Sequence, residues 1–190
     1  MTAYEGKVVL ASQSPRRREL MGLLFRQFEV QSPQVEETAA PGLAPWKLVE
    51  ELAARKALAV AAGAAPDTLV VGADTVVAVG GQILGKPHGP EEAAAMLHTL
   101  SGRAHMVYTG VCLARGGKKQ VFHAGTRVQF KPLSDQEIAW YLSTGEPFDK
   151  AGGYGIQGLG SRFVRGIDGD YFNVMGLPVN LIYEKLALLA

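Results

Sequence analysis

Short β-branched runs alternate with stretches of helical spacing through the first half of the chain, and that alternation confines it to an α/β architecture. Lys7 to Ala11 (KVVLA) reads as a buried strand, and a helix starts near Pro15 with Ser14 as its N-cap. Phe28 to Gln31 reads as a second strand that leads into a loop around Pro33 to Pro41. From Pro45 to Ala62, Leu48, Leu52, Lys56, Ala59 and Val60 recur at helical spacing, with Gly63 as the stop. Thr68 to Val71 predicts a strand that gives out at Gly72-Ala73-Asp74-Thr75, with Val76 to Val79 extended up to Gly80-Gly81. A further helix is signalled from Pro90 to Leu100, with Glu91 and Glu92 in its first turn and Gly102 beyond its end.

Strand pairing dominates the second half. Residues 104–114 and 120–131 read as two strands joined by a turn at Arg115 to Lys119. Ser134 to Glu137 is a capping-box pattern that opens a helix to about Thr144. A glycine-dense loop from Gly145 to Gly160 follows, then a strand from Arg162 to Ile167, an Asp168-Gly169 turn and a closing helix from Pro178. The expected fold is a mixed, twisted α/β sheet flanked by helices and bent into two lobes around a cleft, with 1–190 as a single domain.

Composition narrows the partners. With 47% hydrophobic and 19% charged residues among 190, the chain is globular and not disordered. A net charge of +1 supplies no broad field for nucleic acid or an anionic membrane, so any bound anion must be gripped by local charge. Cys112 stands alone, which excludes an intramolecular disulfide and argues against a cysteine metal site. No apolar run reaches the roughly 18 residues of a membrane span. The N-terminus lacks the pattern of a signal peptide, so a cytoplasmic location is expected.

Three clusters carry chemistry. Ser12-Gln13-Ser14-Pro15-Arg16-Arg17-Arg18, between a strand and a helix, brings hydroxyls, backbone N–H groups and arginines to one point. Three arginines in a first helical turn oppose the dipole, and a bound phosphate offsets that cost. Asp74, at the expected carboxyl end of a strand, is either a catalytic carboxylate or the cap of a turn. Lys86, between Gly85 and Pro87, and Lys56, on an apolar-leaning helix face, are cations that neutralise phosphate or simply lie on the surface. Glu36 and Glu37 sit in a loop that can return towards Asp74, and metal-assisted phosphate hydrolysis needs such hard oxygen ligands. In the third cluster, Gly145 to Gly158, the tip of Gln157 suits a pyrimidine edge or merely satisfies the backbone of a lid. His88, His98, His105 and His123 show no metal spacing and read as ordinary surface or sheet residues.

Taken in order, these clusters resemble the Maf family of nucleotide pyrophosphatases. The likeness runs through Ser12-x-Ser14-Pro15-Arg16-Arg17, Glu36-Glu37, Ala54-Arg55-Lys56-Ala57, Gly72-Ala73-Asp74-Thr75, Gly85-Lys86-Pro87 and Ser101-Gly102-x-x-His105. It continues through Thr144 to Pro147, Asp149 to Gly152 and Gly176-Leu177-Pro178. The resemblance implies an inosine-triphosphate-pyrophosphatase type fold with a deep cleft. It also implies hydrolysis of a nucleoside triphosphate to the monophosphate and pyrophosphate with a divalent cation. Asp74 becomes the proton acceptor, and Arg16, Thr75 and Gln157 the positions linked to substrate choice. The segment from Asp149 to Gly158 looks like the branch acting on dTTP and UTP; a 7-methyl-GTP branch usually carries a different sequence there. Gln13 departs from the smaller residue of many relatives, and the family has an older association with septum formation.

The resulting expectation is a dTTP/UTP pyrophosphatase in which Glu37 and Asp74 hold Mg²⁺ or Mn²⁺. Asp74 activates the attacking water. Ser12, Ser14, Arg16, Arg17, Lys56 and Lys86 hold phosphate, while Thr75 and Gln157 read the base. The partner is a nucleoside triphosphate, without nucleic acid or membrane, and the sequence leaves room for a homodimer. The alternatives are a purine-type enzyme acting on ITP or 7-methyl-GTP and a non-catalytic nucleotide-binding regulator of division.

Overall fold

The structure is a computed structural model that describes residues 4, 6–36 and 42–187. Its sheet has seven strands: β1 (Val8–Ala11), β2 (Glu29–Val30), β3 (Leu69–Val79), β4 (Gln82–Leu84), β5 (Ala104–Arg115), β6 (Lys118–Phe130) and β7 (Val164–Asp168). The order is β2-β1-β3-β5-β6-β7, with β4 paired to β3 off that path. The sheet is mixed: β1 runs parallel to β2 and β3, whereas β3–β4 and β6–β7 are antiparallel. Six helices accompany it: α1 (Pro15–Met21), α2 (Pro45–Ala61), α3 (Pro90–Leu100), α4 (Asp135–Ser143), α5 (Tyr171–Met175) and α6 (Val179–Leu186). The α/β expectation holds. Among the described residues no helix is long and apolar enough to cross a membrane.

The chain divides into two compact units, to both of which β3, β5 and β6 contribute. The first comprises residues up to Asp74, Thr109–Ala124 and the chain from Gly176 onwards. One of its buried clusters is built from small side chains, Val9, Ala11, Ala53, Ala57, Val60, Val70, Cys112 and Ala114, while large ones such as Leu10, Met21, Leu69 and Ile182 are buried elsewhere in the unit. Small residues let α2 approach the sheet closely. A Cβ on Gly72 would stand 2.5 Å from the Ala53 carbonyl oxygen, and one on Gly110 would stand 2.2 Å from that of Val49. Helix backbone therefore rests directly on β3 and β5. The buried stripe of α2 is Val49, Leu52, Ala53, Lys56, Ala57 and Val60, an unbroken helical face that contains one lysine. Cys112 lies within this core, and burial pushes its thiol up to about 11.

The second unit comprises Thr75–Tyr108 and Gly125–Met175. Its core is aromatic, with Phe130, Tyr141, Tyr154 and Phe163 packed among Val77, Leu97, Leu100 and Ile138. Ring pairs meet edge to face, Phe130–Tyr154 at 4.7 Å and Tyr141–Phe163 at 5.0 Å between centroids, the arrangement that ring quadrupoles favour. His105 joins this cluster with only 2% of its surface exposed, and its Nε2 lies 2.7 Å from the Tyr154 hydroxyl. The expectation that His105 is an ordinary surface or sheet residue is corrected in part. It lies on β5, but inside the core, because the aromatic residues that enclose it come from distant parts of the chain. Its Nδ1 has no hydrogen-bond partner. Either the Nε2–H donates to the Tyr154 oxygen or the Tyr154 O–H donates to Nε2, as the tautomer decides.

Asp74 is not where a strand gives out. β3 runs on for eleven residues through Asp74, paired with β5 as well as with β1 and β4. β1 partners Leu69 to Gly72, and β4 returns across the Gly80-Gly81 turn to partner Val77 to Val79. Both turn glycines have positive φ, 55° and 83°, as a two-residue hairpin requires. The second hairpin turns at Gly116-Gly117 in the same way, so β5 and β6 extend further than expected. The capping box opening α4 forms in full. The long glycine-rich loop is not featureless, for it contains 3₁₀ turns at Glu146–Asp149, Ala151–Gly153 and Leu159–Phe163. The last of these delays β7 to Val164, and the short α5 has no counterpart in the sequence reading.

Two outcomes test this packing. Gly72→Ala must push α2 off the sheet, so a loss of about 3 kcal/mol in denaturant unfolding is expected. Leu58→Ala, on the exposed side of the same helix, should be near neutral by comparison. Burial holds the His105 imidazole down at about 4, against 6.5 for the free side chain. The unfolded chain takes up that proton first, so stability falls as pH drops from about 6.5 towards 4 by on the order of 3 kcal/mol. Melting curves of wild type and His105→Phe over that window check the sign: the variant should show the shallower pH dependence.

Candidate active site

Register brings the first cluster together. Ala11 of β1 pairs with Gly72 of β3, so the loop from Ser12 and the residue Asp74 lie at the same carboxyl end of this parallel pairing. That is where parallel α/β sheets place ligands. Ser14 caps α1 and its hydroxyl accepts the Arg17 N–H at 3.4 Å, with Pro15 in the first turn. The buried Ser12 hydroxyl accepts from the Ser14 N–H at 3.2 Å and from the Arg17 guanidinium at 3.4 Å. Arg17 also donates from Nε to the Gly176 carbonyl at 2.9 Å. The three arginines thus take different surroundings. Arg17 is directed at acceptors of the protein itself, Arg16 is half-buried and Arg18 is exposed. Part of the charge in this turn is offset by the chain's own oxygen atoms, a correction to the view that an anion must answer all of it.

Lys56 explains itself by its partner. It occupies a core position of α2, and its Nζ donates to Asp74 Oδ1 at 2.7 Å. Their side chains are 7% and 12% exposed, so the pair is held away from bulk water and is screened little. The close seating of α2 on Gly72 sets this distance. With Oδ1 engaged by the ammonium, Oδ2 is the oxygen through which Asp74 can meet a proton or a hard cation. Glu36 is exposed, and Glu37, the other expected metal ligand, lies outside the described residues. Among the described residues no group of three or more His, Cys, Asp or Glu side chains is clustered to hold a metal.

The remaining expected residues belong to the second unit. Thr75 follows Asp74 on β3 and is half-buried. Lys86 is exposed beside the buried Pro87, and the carbonyl of its neighbour Gly85 accepts the Gly152 N–H at 2.9 Å. That bond fastens the Lys86 segment to the glycine-rich loop. Gly152 has φ +70°, and a Cβ there would lie 2.8 Å from Val77. Gln157 is exposed on the same loop between Gly155 and Gly158.

Two groups escaped the sequence reading as participants. One is the Gly176 carbonyl, whose only trace was the Gly176-Leu177-Pro178 motif. The other is Glu146. Its Oε2 accepts the Leu159 N–H at 2.9 Å, and its Oε1 accepts the Gly160 N–H at 3.1 Å and the Tyr141 hydroxyl at 2.8 Å. Burial alone would raise its pKa, but these donors outweigh it and hold the carboxyl below the usual range. Its signal in the sequence was a carboxylate at the entrance of a glycine-dense loop.

Removing one partner of the buried pair should show how it is balanced. Lys56→Met strands the Asp74 carboxylate, with an expected loss of about 3–5 kcal/mol. The double variant Lys56→Met, Asp74→Leu should recover most of that stability while lacking the carboxylate. Chemical denaturation of the three proteins checks this; a double variant no more stable than Lys56→Met counts against the pair as described.

The chain is similar to known proteins along nearly its whole length. The family described as Maf-like protein matches residues 7–189. The chain is 52% identical over 184 residues to the dTTP/UTP pyrophosphatase of Moorella thermoacetica, covering 96% of this chain and 94% of that one. It is 49% identical over 180 residues to the dTTP/UTP pyrophosphatase of Symbiobacterium thermophilum, covering 95% and 92%. Among solved structures, the Staphylococcus aureus Ham1 protein superposes with a TM-score of 0.55 at 16% identity, covering 97% of this chain and all of that one. That likeness concerns the fold. The chain belongs to the Maf-like protein family.

Proposed function

We propose that this protein hydrolyses dTTP and UTP to the nucleoside monophosphate and pyrophosphate, in the cytoplasm. The observation that carries the reading is the buried Asp74, paired with Lys56 and set at the same sheet end as the Ser12 to Arg17 loop. Its setting in a chain about half identical to proteins named dTTP/UTP pyrophosphatase supplies the substrate class.

In this reading, Asp74 accepts a proton from water through Oδ2 while Lys56 holds Oδ1 and so fixes the carboxylate's orientation. The water oxygen bonds to the α-phosphorus, the bond from that phosphorus to the α–β bridging oxygen breaks, and the bridging oxygen leaves with pyrophosphate. Arg16, Ser12, Ser14 and Lys86 bind phosphate, and Arg17 braces the loop from the Gly176 carbonyl as well as lending its charge. Thr75 and Gln157 read the pyrimidine edge by hydrogen bonds, rejecting bases that leave them unpaired.

A hard cation suits the donors present. Asp74 Oδ2 is a carboxylate oxygen, the hard donor that Mg²⁺ and Mn²⁺ take. Asp74 and Glu37 would hold Mg²⁺ or Mn²⁺. Bound there, the ion supplies charge neutralisation of phosphate oxygens.

The test is pyrophosphate release from UTP, dTTP, CTP, ITP and 7-methyl-GTP with Mg²⁺ or Mn²⁺, beside Asp74→Asn. UTP and dTTP are expected to lead, chelation to abolish release, and the variant to lose on the order of 10²–10⁴ in kcat. Full activity in Asp74→Asn would sink the catalytic assignment. A preference for ITP or 7-methyl-GTP replaces the pyrimidine reading, and nucleotide-induced stabilisation without release makes the protein a sensor.

A further inference from the structure

The glycine-rich loop is tied to the core on both sides of Gln157 by one carboxylate and one hydroxyl. Two residues before Gln157, the Gly155 N–H donates to the Tyr141 hydroxyl at 3.1 Å. That hydroxyl donates onward to Glu146 Oε1 at 2.8 Å. Two and three residues after Gln157, the N–H groups of Leu159 and Gly160 donate to the two oxygens of the same carboxylate. Gly155, Tyr141, Glu146, Leu159 and Gly160 form one continuous circuit, and the exposed Gln157 projects from the segment it closes. The Tyr154 hydroxyl on buried His105 anchors the segment once more at its start.

The glycines are spaced for this circuit rather than for flexibility. A Cβ on Gly158, which has φ +114°, would lie 2.9 Å from Glu146 Oε2. One on Gly160 would lie 2.6 Å from the Tyr141 hydroxyl, and one on Gly155 would lie 2.8 Å from Lys150 Cε. At Gly158 and Gly160 the space is taken by an atom of the clamp. Tyr141 is itself immobile: it is fully buried, packed edge to face on Phe163, and carried by α4 with its complete capping box. A rigid helix therefore dictates the course of an exposed loop through a hydroxyl and a carboxylate.

We propose that Tyr141 and Glu146 are positioning residues for base selection, setting the place of Gln157 through the backbone at Gly155, Leu159 and Gly160. The proposal rests on the pyrimidine reading above and assigns neither residue a contact with substrate. It predicts that loosening the clamp acts on recognition rather than on bond breaking, since Asp74 and its lysine lie on other elements.

Two measurements on the full chain test it. Amide hydrogen exchange compares wild type with Tyr141→Phe, which deletes the hydroxyl and keeps the packed ring, and with Glu146→Gln. Faster exchange across 154–160 with unchanged protection in α3 and β5 is expected; unchanged protection across 154–160 overturns the clamp. Kinetics of Tyr141→Phe, Gln157→Ala and the double variant follow. Tyr141→Phe should raise KM for UTP by about tenfold with kcat within about threefold, and narrow the preference for UTP over ITP. In the Gln157→Ala background it should add nothing, because the group it positions is gone. Fully additive losses overturn the proposal, as does a fall in kcat with KM unchanged. A wild-type chain that does not cleave UTP overturns the pyrimidine reading alone, and the exchange comparison then decides the clamp.

Discussion

Helix α2 rests on the sheet with its backbone where side chains would ordinarily stand, and the site depends on that contact. Gly72 and Gly110 provide the room, leaving the Ala53 and Val49 carbonyls against β3 and β5. Lifted off the sheet, α2 would carry Lys56 away from Asp74. Here the helix is close enough for Lys56 to meet Asp74 side-on from within the core. The same contact explains why the cluster shared by α2 and the sheet is made mostly of alanine and valine. Larger residues on α2 would lift it and separate the pair.

A buried ion pair is a weak source of stability, because withdrawing both charges from water offsets most of their attraction. Its presence on an otherwise apolar helix face therefore needs another reason. Orientation supplies one: an ammonium fixed to one carboxylate oxygen leaves the other in a known place. Glu146 makes an instructive contrast. Its oxygens are answered by two backbone N–H groups and a hydroxyl, all fixed in the fold. Asp74 is answered by a side chain. A carboxylate saturated by backbone donors is committed to structure, whereas one answered by a single ammonium keeps an oxygen for chemistry.

How much of this was legible in the sequence depended on distance along the chain. The helices α2 to α4 and the hairpin β5–β6 follow from local spacing, from Ser134 and Glu137, and from paired glycines. Lys56 stood out because a charge on an apolar face calls for a partner, although only the fold names Asp74. The Ser12 to Arg17 loop was legible as a unit, but not that Arg17 turns to Gly176, 159 residues away. His105 and Tyr154 likewise carry no local sign of one another, being 49 residues apart. The unbroken course of β3 through Asp74 was hidden for a different reason. Gly72-Ala73-Asp74 has poor strand propensity, and the place of β3 inside the sheet, between β1 and β5, overrides it.

Glycine carried two opposite meanings in this chain, and only its surroundings separate them. At Gly80, Gly81, Gly116 and Gly117 it permits a backbone conformation that side chains resist, and the turns are sharp because of it. At Gly72, Gly110 and Gly160 the demand is space, since carbonyls or a hydroxyl occupy the volume of a methyl group. A glycine-dense stretch such as Gly145 to Gly160 reads as flexible on composition alone. Once a carboxylate and a tyrosine fill the spaces the glycines leave, the stretch becomes one of the more constrained parts of the surface. Density of glycine therefore measures closeness of approach as readily as it measures freedom, and the hydrogen bonds of the neighbouring donors decide which.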